Sequence, residues 1–173
     1  MVPAGGLEVV SLARLQPHAA EAVVGMVTAG CSPVRVVRSP HDGRLYVTAR
    51  ASNALLVFDS DRLVSEPADA LLATVPVGNA PVGLELLDNG RRIVVADSAR
   101  FGGHGGQTLT VIDASLVNQG GAAAVEGTVE VGHFPRELRL TDDGNTLLVA
   151  DFDSNEIELL SVDRLTVQHP SHP

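Results

Sequence analysis

Apolar residues fall along this chain in short runs separated by turns, and the same order of runs and turns appears three times. Each copy opens with Gly-x-x-Pro: Gly30–Pro33, Gly78–Pro81 and Gly132–Pro135. An apolar run follows, then a turn at Asp42-Gly43, Asn89-Gly90 or Asp143-Gly144. Glycine at the second place supplies the positive φ that tight hairpin turns need. A second run comes next (Leu45–Ala49, Ile93–Ala96, Leu147–Ala150), and a third ends near an Asp (Leu55–Asp59, Leu109–Asp113, Ile157–Asp163). Alternation is clearest in Arg44–Arg50, with Leu45, Val47 and Ala49 on one face and Tyr46, Thr48 and Arg50 on the other. The first copy predicts strands over 34–38, 44–50, 54–59 and 70–77. The second predicts 82–87, 91–97, 108–113 and 125–131. The third predicts 136–141, 145–151 and 156–162, with a short fourth strand near Leu165–Val167. Ahead of them, Leu7–Leu12 and Ala22–Val27 read as the last two strands of an earlier unit.

The repeat prolines are 48 and 54 residues apart. A repeat of that size, built from short strands and hairpin turns, marks a β-propeller blade. The expected fold is all-β: one propeller segment over 1–173, made of four-stranded antiparallel blades, about two full and two partial. The units are a remnant over about 7–28, blades over 33–77 and 81–131, and a partial blade over 135–167. A closed ring needs at least about four blades, and a blade cannot bury both faces alone. The count therefore leads to the expectation that the chain is a piece of a longer protein, or that copies self-associate through open blade ends.

Composition narrows the partners. The hydrophobic fraction is 45% but aromatics are only 3%, so Val, Leu, Ile and Ala must fill the core. Net charge is −9 and all 12 basic residues are Arg. That balance argues against nucleic acid, whose phosphates call for clustered cations. The single Cys31, expected to be buried or half-buried, excludes an intrachain disulfide and a Cys-based zinc cage. No metal or cofactor is expected. No apolar run is long enough to span a membrane, and the first residues do not form a signal peptide. Missing Trp-Asp endings disfavour WD-type repeats, and Gly102–Gly106 lacks the Lys-Ser/Thr ending of a phosphate loop.

Ser39-Pro-His-Asp-Gly-Arg-Leu-Tyr-Val-Thr48 resembles the S-P-D-G-x-x-x-Y-V-T-N core of YVTN-type (YncE-like) propeller repeats, with one extra residue in the turn. The stretch from Val131-Gly-His-Phe-Pro-Arg136 to Asp153-Ser-Asn155 is similar to the repeat of lactonase-type seven-bladed propellers. The resemblance covers about residues 24–165. Departures are Arg50, Asp97 and Asp151, each in place of Asn at the end of a second strand, and Asp142 in place of Pro. It implies six or seven blades in the whole protein and an exported, periplasmic or extracellular, location.

In such a blade the loops entering the first strand and those joining the second to the third share one rim. That rim gathers Arg50, Asp97, Arg100, His104, His133, Arg136, Asp151 and Asp153. Arg136, at the start of an inner strand, suits a ligand carboxylate or phosphate, but an ion pair with Asp151 or Asp97 is the simpler expectation. Asp97 and Asp151 form a possible acid–base pair, but Asx-type turn capping explains their recurrence more simply. His104, between two Gly pairs, reads as an exposed loop histidine; His133 is better placed for proton transfer.

Two functions follow. The favoured one is a non-catalytic scaffold that binds a small ligand or protein partner at the rim, because no rim set meets a catalytic template. The alternative, implied by the resemblance, is a hydrolase of sugar lactones, with His133 as base and Arg136 at the oxyanion.

Overall fold

The computed structural model describes residues 4–16, 21–102 and 107–165. His104 and the tail histidines lie outside the described residues, as does most of the short strand expected near Leu165–Val167. Among the described residues thirteen strands form four antiparallel sheets. An N-terminal pair is β1 (Ala4–Val10) with β2 (Val23–Cys31). The first blade is β3 (Pro33–Arg38), β4 (Arg44–Ala49), β5 (Ala54–Asp59) and β6 (Leu71–Pro76), paired in that order. The second repeats it with β7 (Pro81–Leu87), β8 (Arg92–Asp97), β9 (Thr108–Asp113) and β10 (Val125–Glu130). The third contains β11 (Pro135–Leu140), β12 (Thr146–Asp151) and β13 (Glu156–Ser161).

The boundaries follow the repeat closely, with two differences. The first pair is longer and shifted: β1 starts at Ala4, Leu12 falls in a helical turn, and β2 runs on to Cys31. The polar connection after β5 holds one helical turn, α1 (Arg62–Ser65), which buries Leu63.

Each middle strand is apolar on both faces because it is sandwiched between neighbouring sheets. Tyr46, Leu55 and Val57 of the first blade pack on Leu84, Ile93 and Val95 of the second. Val47, Leu56 and Phe58 face the other way, onto Val27 and Ala29. Val94, Leu109 and Val111 of the second blade meet Leu138, Leu147 and Val149 of the third. Burying each such side chain contributes about 1.5–3 kcal/mol. The sandwich ends at the third blade, where Ile157 and Leu159 are 66% and 68% exposed.

Arginines tie the blades at the rim opposite the Gly-x-x-Pro loops. Arg44 at the start of β4 donates from Nη1 to the Ala114 carbonyl at 2.8 Å. Arg92, in the same place on β8, donates from Nη2 to the Val162 carbonyl at 3.2 Å. Both bonds cross to the following blade, where they cap the backbone just past its third strand. Gly43, Gly90 and Gly144 all take positive φ in the hairpin turns, as the sequence pattern expects.

Candidate functional site

The Gly-x-x-Pro loops build one rim by repeated backbone bonding. The residue before each proline takes positive φ: Ser32 at 55°, Ala80 at 52° and Phe134 at 57°. That turn aims its carbonyl at the first residue beyond the second strand. Arg50 N–H donates to Ser32 at 3.0 Å, Ser98 N–H to Ala80 at 3.2 Å and Phe152 N–H to Phe134 at 3.0 Å. The Ser-Asn pairs of the repeat complete the loops. Ser52 Oγ accepts from Cys31 N–H at 2.9 Å and Ser154 Oγ from His133 N–H at 2.7 Å. Asn53 Oδ1 accepts from Ala80 N–H at 3.0 Å, which joins one blade's loop to the next.

The glycine that opens each loop is there for close approach. A Cβ on Gly78 would lie 2.5 Å from Asp97 Cγ, and one on Gly132 would lie 3.0 Å from Asp151 Cβ and Cγ. The two aspartates therefore sit beneath the loops. Both are buried, not open to the rim, and Asp97 also bonds the backbone of Gly78 in the loop above it. Position explains this: the last residue of β8 or β12 points into the space between sheets, and the absent side chain of the glycine leaves room for it.

Asp97 Oδ2 accepts from Thr110 Oγ1 at 2.6 Å and from Thr108 Oγ1 at 3.1 Å. Burial pushes its carboxyl up to about 7, against those hydroxyls, which favour the ionised form. No hydroxyl hydrogen-bonds to Asp151 among the described residues. Burial, then the charge and hydrogen bonding of Glu158, then the charge of Glu156, push it up to about 6, with His133 acting the other way.

On top of the rim lies an arrangement invisible in the sequence. Arg50 stacks over Phe101 at 5.2 Å from the ring centroid, and Arg100 reaches Phe101 at 5.8 Å and Phe134 at 5.2 Å. Phe134 meets Phe152 edge-to-face at 5.5 Å, and Arg136 lies over Phe152 at 5.4 Å. Three of the chain's four phenylalanines thus form one contact chain with three arginines across the three blades. Among the described residues none of these arginines makes an ion pair; the pairs formed use Arg35, Arg44, Arg62 and Arg92. The ion pair considered for Arg136 with Asp97 or Asp151 is replaced by the stack on Phe152.

The remaining candidates have plain places. His133 and Asp153 are exposed on the rim, and Asp153 N–H donates to the His133 carbonyl at 3.1 Å. Arg35 of β3 and Glu137 of β11, which sequence reasoning overlooked, pair at 2.7 Å across the inner strands. A cleft of about 270 Å³ opens beside Arg136, Phe152, Asn155 and Ile157. A larger one of about 830 Å³ lies at the opposite rim, where His41, Arg44 and Arg91 meet Asp113 and Glu126. No group of metal-ligating side chains forms among the described residues. No helix among them is long and apolar enough to cross a membrane.

No family model matches the chain, and no curated protein is significantly similar to it in sequence. Solved structures are similar. A proposed 6-phosphogluconolactonase of Bacteroides fragilis superposes with a TM-score of 0.67 at 16% identity, over 88% of this chain and 44% of that one. The periplasmic gluconolactonase of Pseudomonas aeruginosa gives 0.64 at 20% identity, over 84% and 41%. The shared fold is a β-propeller. Hydrazine synthase of Kuenenia stuttgartiensis also matches, with a TM-score of 0.62 at 16% identity over 77% and 33%. One propeller architecture thus serves unrelated chemistries. The chain spans between 33% and 44% of the length of these structures.

Proposed function

We propose that the arginine–phenylalanine rim is the ligand-recognising part of a lactonase-type hydrolase that takes a sugar lactone or its phosphate. The observation that carries this reading is the set of three guanidinium groups held on aromatic faces without carboxylate partners, in a chain of net charge −9. Such groups are poised for an anionic or oxygen-rich ligand. The C–H faces of a sugar ring suit Phe101 and Phe152, which are 68% and 57% exposed. His133 then accepts a proton from water attacking the lactone carbonyl, and Arg136 stabilises the developing oxyanion. The tetrahedral intermediate collapses with cleavage of the acyl C–O bond of the ring, the departing ring oxygen takes the proton back from His133, and an open hydroxy acid leaves. Asp153, Arg50 and Arg100 complete the rim. The periplasmic relative favours an exported setting for the whole protein.

The test is turnover of a panel of aldonolactones and their phosphates by the full-length protein. Hydrolysis above the spontaneous rate, falling about 100-fold or more in His133→Ala and also in Arg136→Ala, supports the enzyme. No turnover of any lactone removes it and returns the rim to the scaffold reading. Exposed Phe and Arg side chains, which dominate many protein interfaces, are what favour that second reading.

A further inference from the structure

One spot beneath the rim recurs in every blade and is filled differently in each. It consists of the last residue of the second strand, its partner across the third strand, and the third-strand residue two further on. In the first blade these are Ala49, Ala54 and Leu56. In the second they are Asp97, Thr108 and Thr110, and in the third Asp151, Glu156 and Glu158. The loop glycine presses on the spot each time.

In the second blade the threonine is a relay. Thr110 Oγ1 accepts from Gly78 N–H at 3.4 Å and donates to Asp97 at 2.6 Å. Glu158 takes the threonine's place in the third blade and makes the first of these bonds, accepting from Gly132 N–H at 2.7 Å. It can make the second only if a proton lies between it and Asp151. Asp151 is 1% exposed, and neither of its oxygens meets any other donor among the described residues. Two ionised carboxylates there would leave a buried charge unsatisfied and facing its like.

We propose that Asp151 and Glu158 share a proton and act as a pH-sensitive clasp on the Gly132–Pro135 segment, which loosens when the proton leaves. Other charges around the pair set the balance. Glu156 on β13 favours retention of the proton and His133 on the loop favours its loss, and Arg136 and Glu137 on β11 line the same cleft as Asp151. The segment carries His133 and the Phe134 ring under Arg100. On the rim reading above, loosening it also weakens ligand binding, and the added negative charge acts in the same direction.

The experiment follows the Gly132 amide resonance and its hydrogen exchange in the full-length protein from pH 4 to 8. The expected result is a transition near pH 6, with protection falling at least about tenfold across it. Asp151→Asn, whose amide donates to Glu158 without titrating, keeps Gly132 protected throughout; Glu158→Gln does the same and serves if the first variant fails to fold. A Gly132 amide that does not titrate, or titrates near pH 4, overturns the clasp, as does a foldable variant that titrates like the parent. Binding of 6-phosphogluconate at pH 5.5 and 7.5 forms a separate arm. Affinity should fall more steeply with pH in the parent than in Asp151→Asn. Absence of binding at both pH values refutes the rim reading, and the Gly132 titration still decides the clasp.

Discussion

The second and third blades share a backbone plan, yet they solve the same packing problem with opposite chemistry. Under Gly78 the second blade supplies Asp97 with two hydroxyl donors, while under Gly132 the third surrounds Asp151 with two more acids. The second blade is also covered on both faces, and the third leaves Ile157 and Leu159 open. The difference teaches that a repeat conserves the position of a group more faithfully than its environment. Stability and proton affinity follow the environment.

The largest expected effect tests the packing half of that contrast. Leu109→Ala empties a site between the second and third blades and should cost about 2–5 kcal/mol in urea unfolding. Leu159→Ala on the open face should stay within about 0.5 kcal/mol. Equal costs would mean that the open face is covered in solution.

Close approach beneath the loops comes next. Gly78→Ala sets a methyl against Asp97 and should lower stability by about 1–3 kcal/mol. Gly102→Ala is a control with no atom within 4 Å of the new carbon, and its loss should come from its positive φ of 72° alone.

The two raised carboxyls make a signed prediction of their own. Each folded-state pKa lies above its unfolded value, so the folded chain binds the proton more tightly. Stability is therefore fully present below about pH 4 and is lost as pH rises, through about 6 for Asp151 and about 7 for Asp97. Each group contributes a slope of at most about 1.4 kcal/mol per pH unit while only the unfolded chain ionises. Thermal unfolding from pH 4 to 8 should show the decline. Asp97→Asn should abolish the decline between pH 6 and 7 and roughly halve it below pH 6, whereas Asp151→Asn should roughly halve it below pH 6 and leave the upper portion in place. A stability that rises over this range would show that the aspartates are ion-paired.

The smallest effect belongs to the rim stack. Phe152→Leu removes the face under Arg136 and should cost less than about 1 kcal/mol in stability. It should nonetheless weaken 6-phosphogluconate binding measurably by calorimetry, since Phe152 is an exposed ring of the proposed site.

Much of this was readable in advance, for identifiable reasons. Strand positions were, because runs such as Leu55–Phe58 and Ile93–Ala96 can be apolar on both faces only if sheets cover both. The loops were, because Gly-x-x-Pro and Ser-Asn recur at fixed places in the repeat and bond to each other about half a repeat apart. The repeat pattern points to Arg50, Arg100 and Arg136 as rim candidates, but not to their aromatic partners. Phe101, Phe134 and Phe152 belong to three separate loops, and no spacing rule joins them. Asp97 and Asp151 read as rim residues because their burial depends on a neighbouring loop and the next sheet.

By itself the sequence determined the blade, its turns and the side of the sheet on which loops gather, since these depend on period-two patterning and on residues that set φ. Only the tertiary structure decided that three arginines would rest on three phenylalanines, and that one aspartate would receive hydroxyls and the other a carboxyl. Those outcomes depend on contacts between segments some tens of residues apart, where distance and burial fix the electrostatics and neither is encoded in the local pattern.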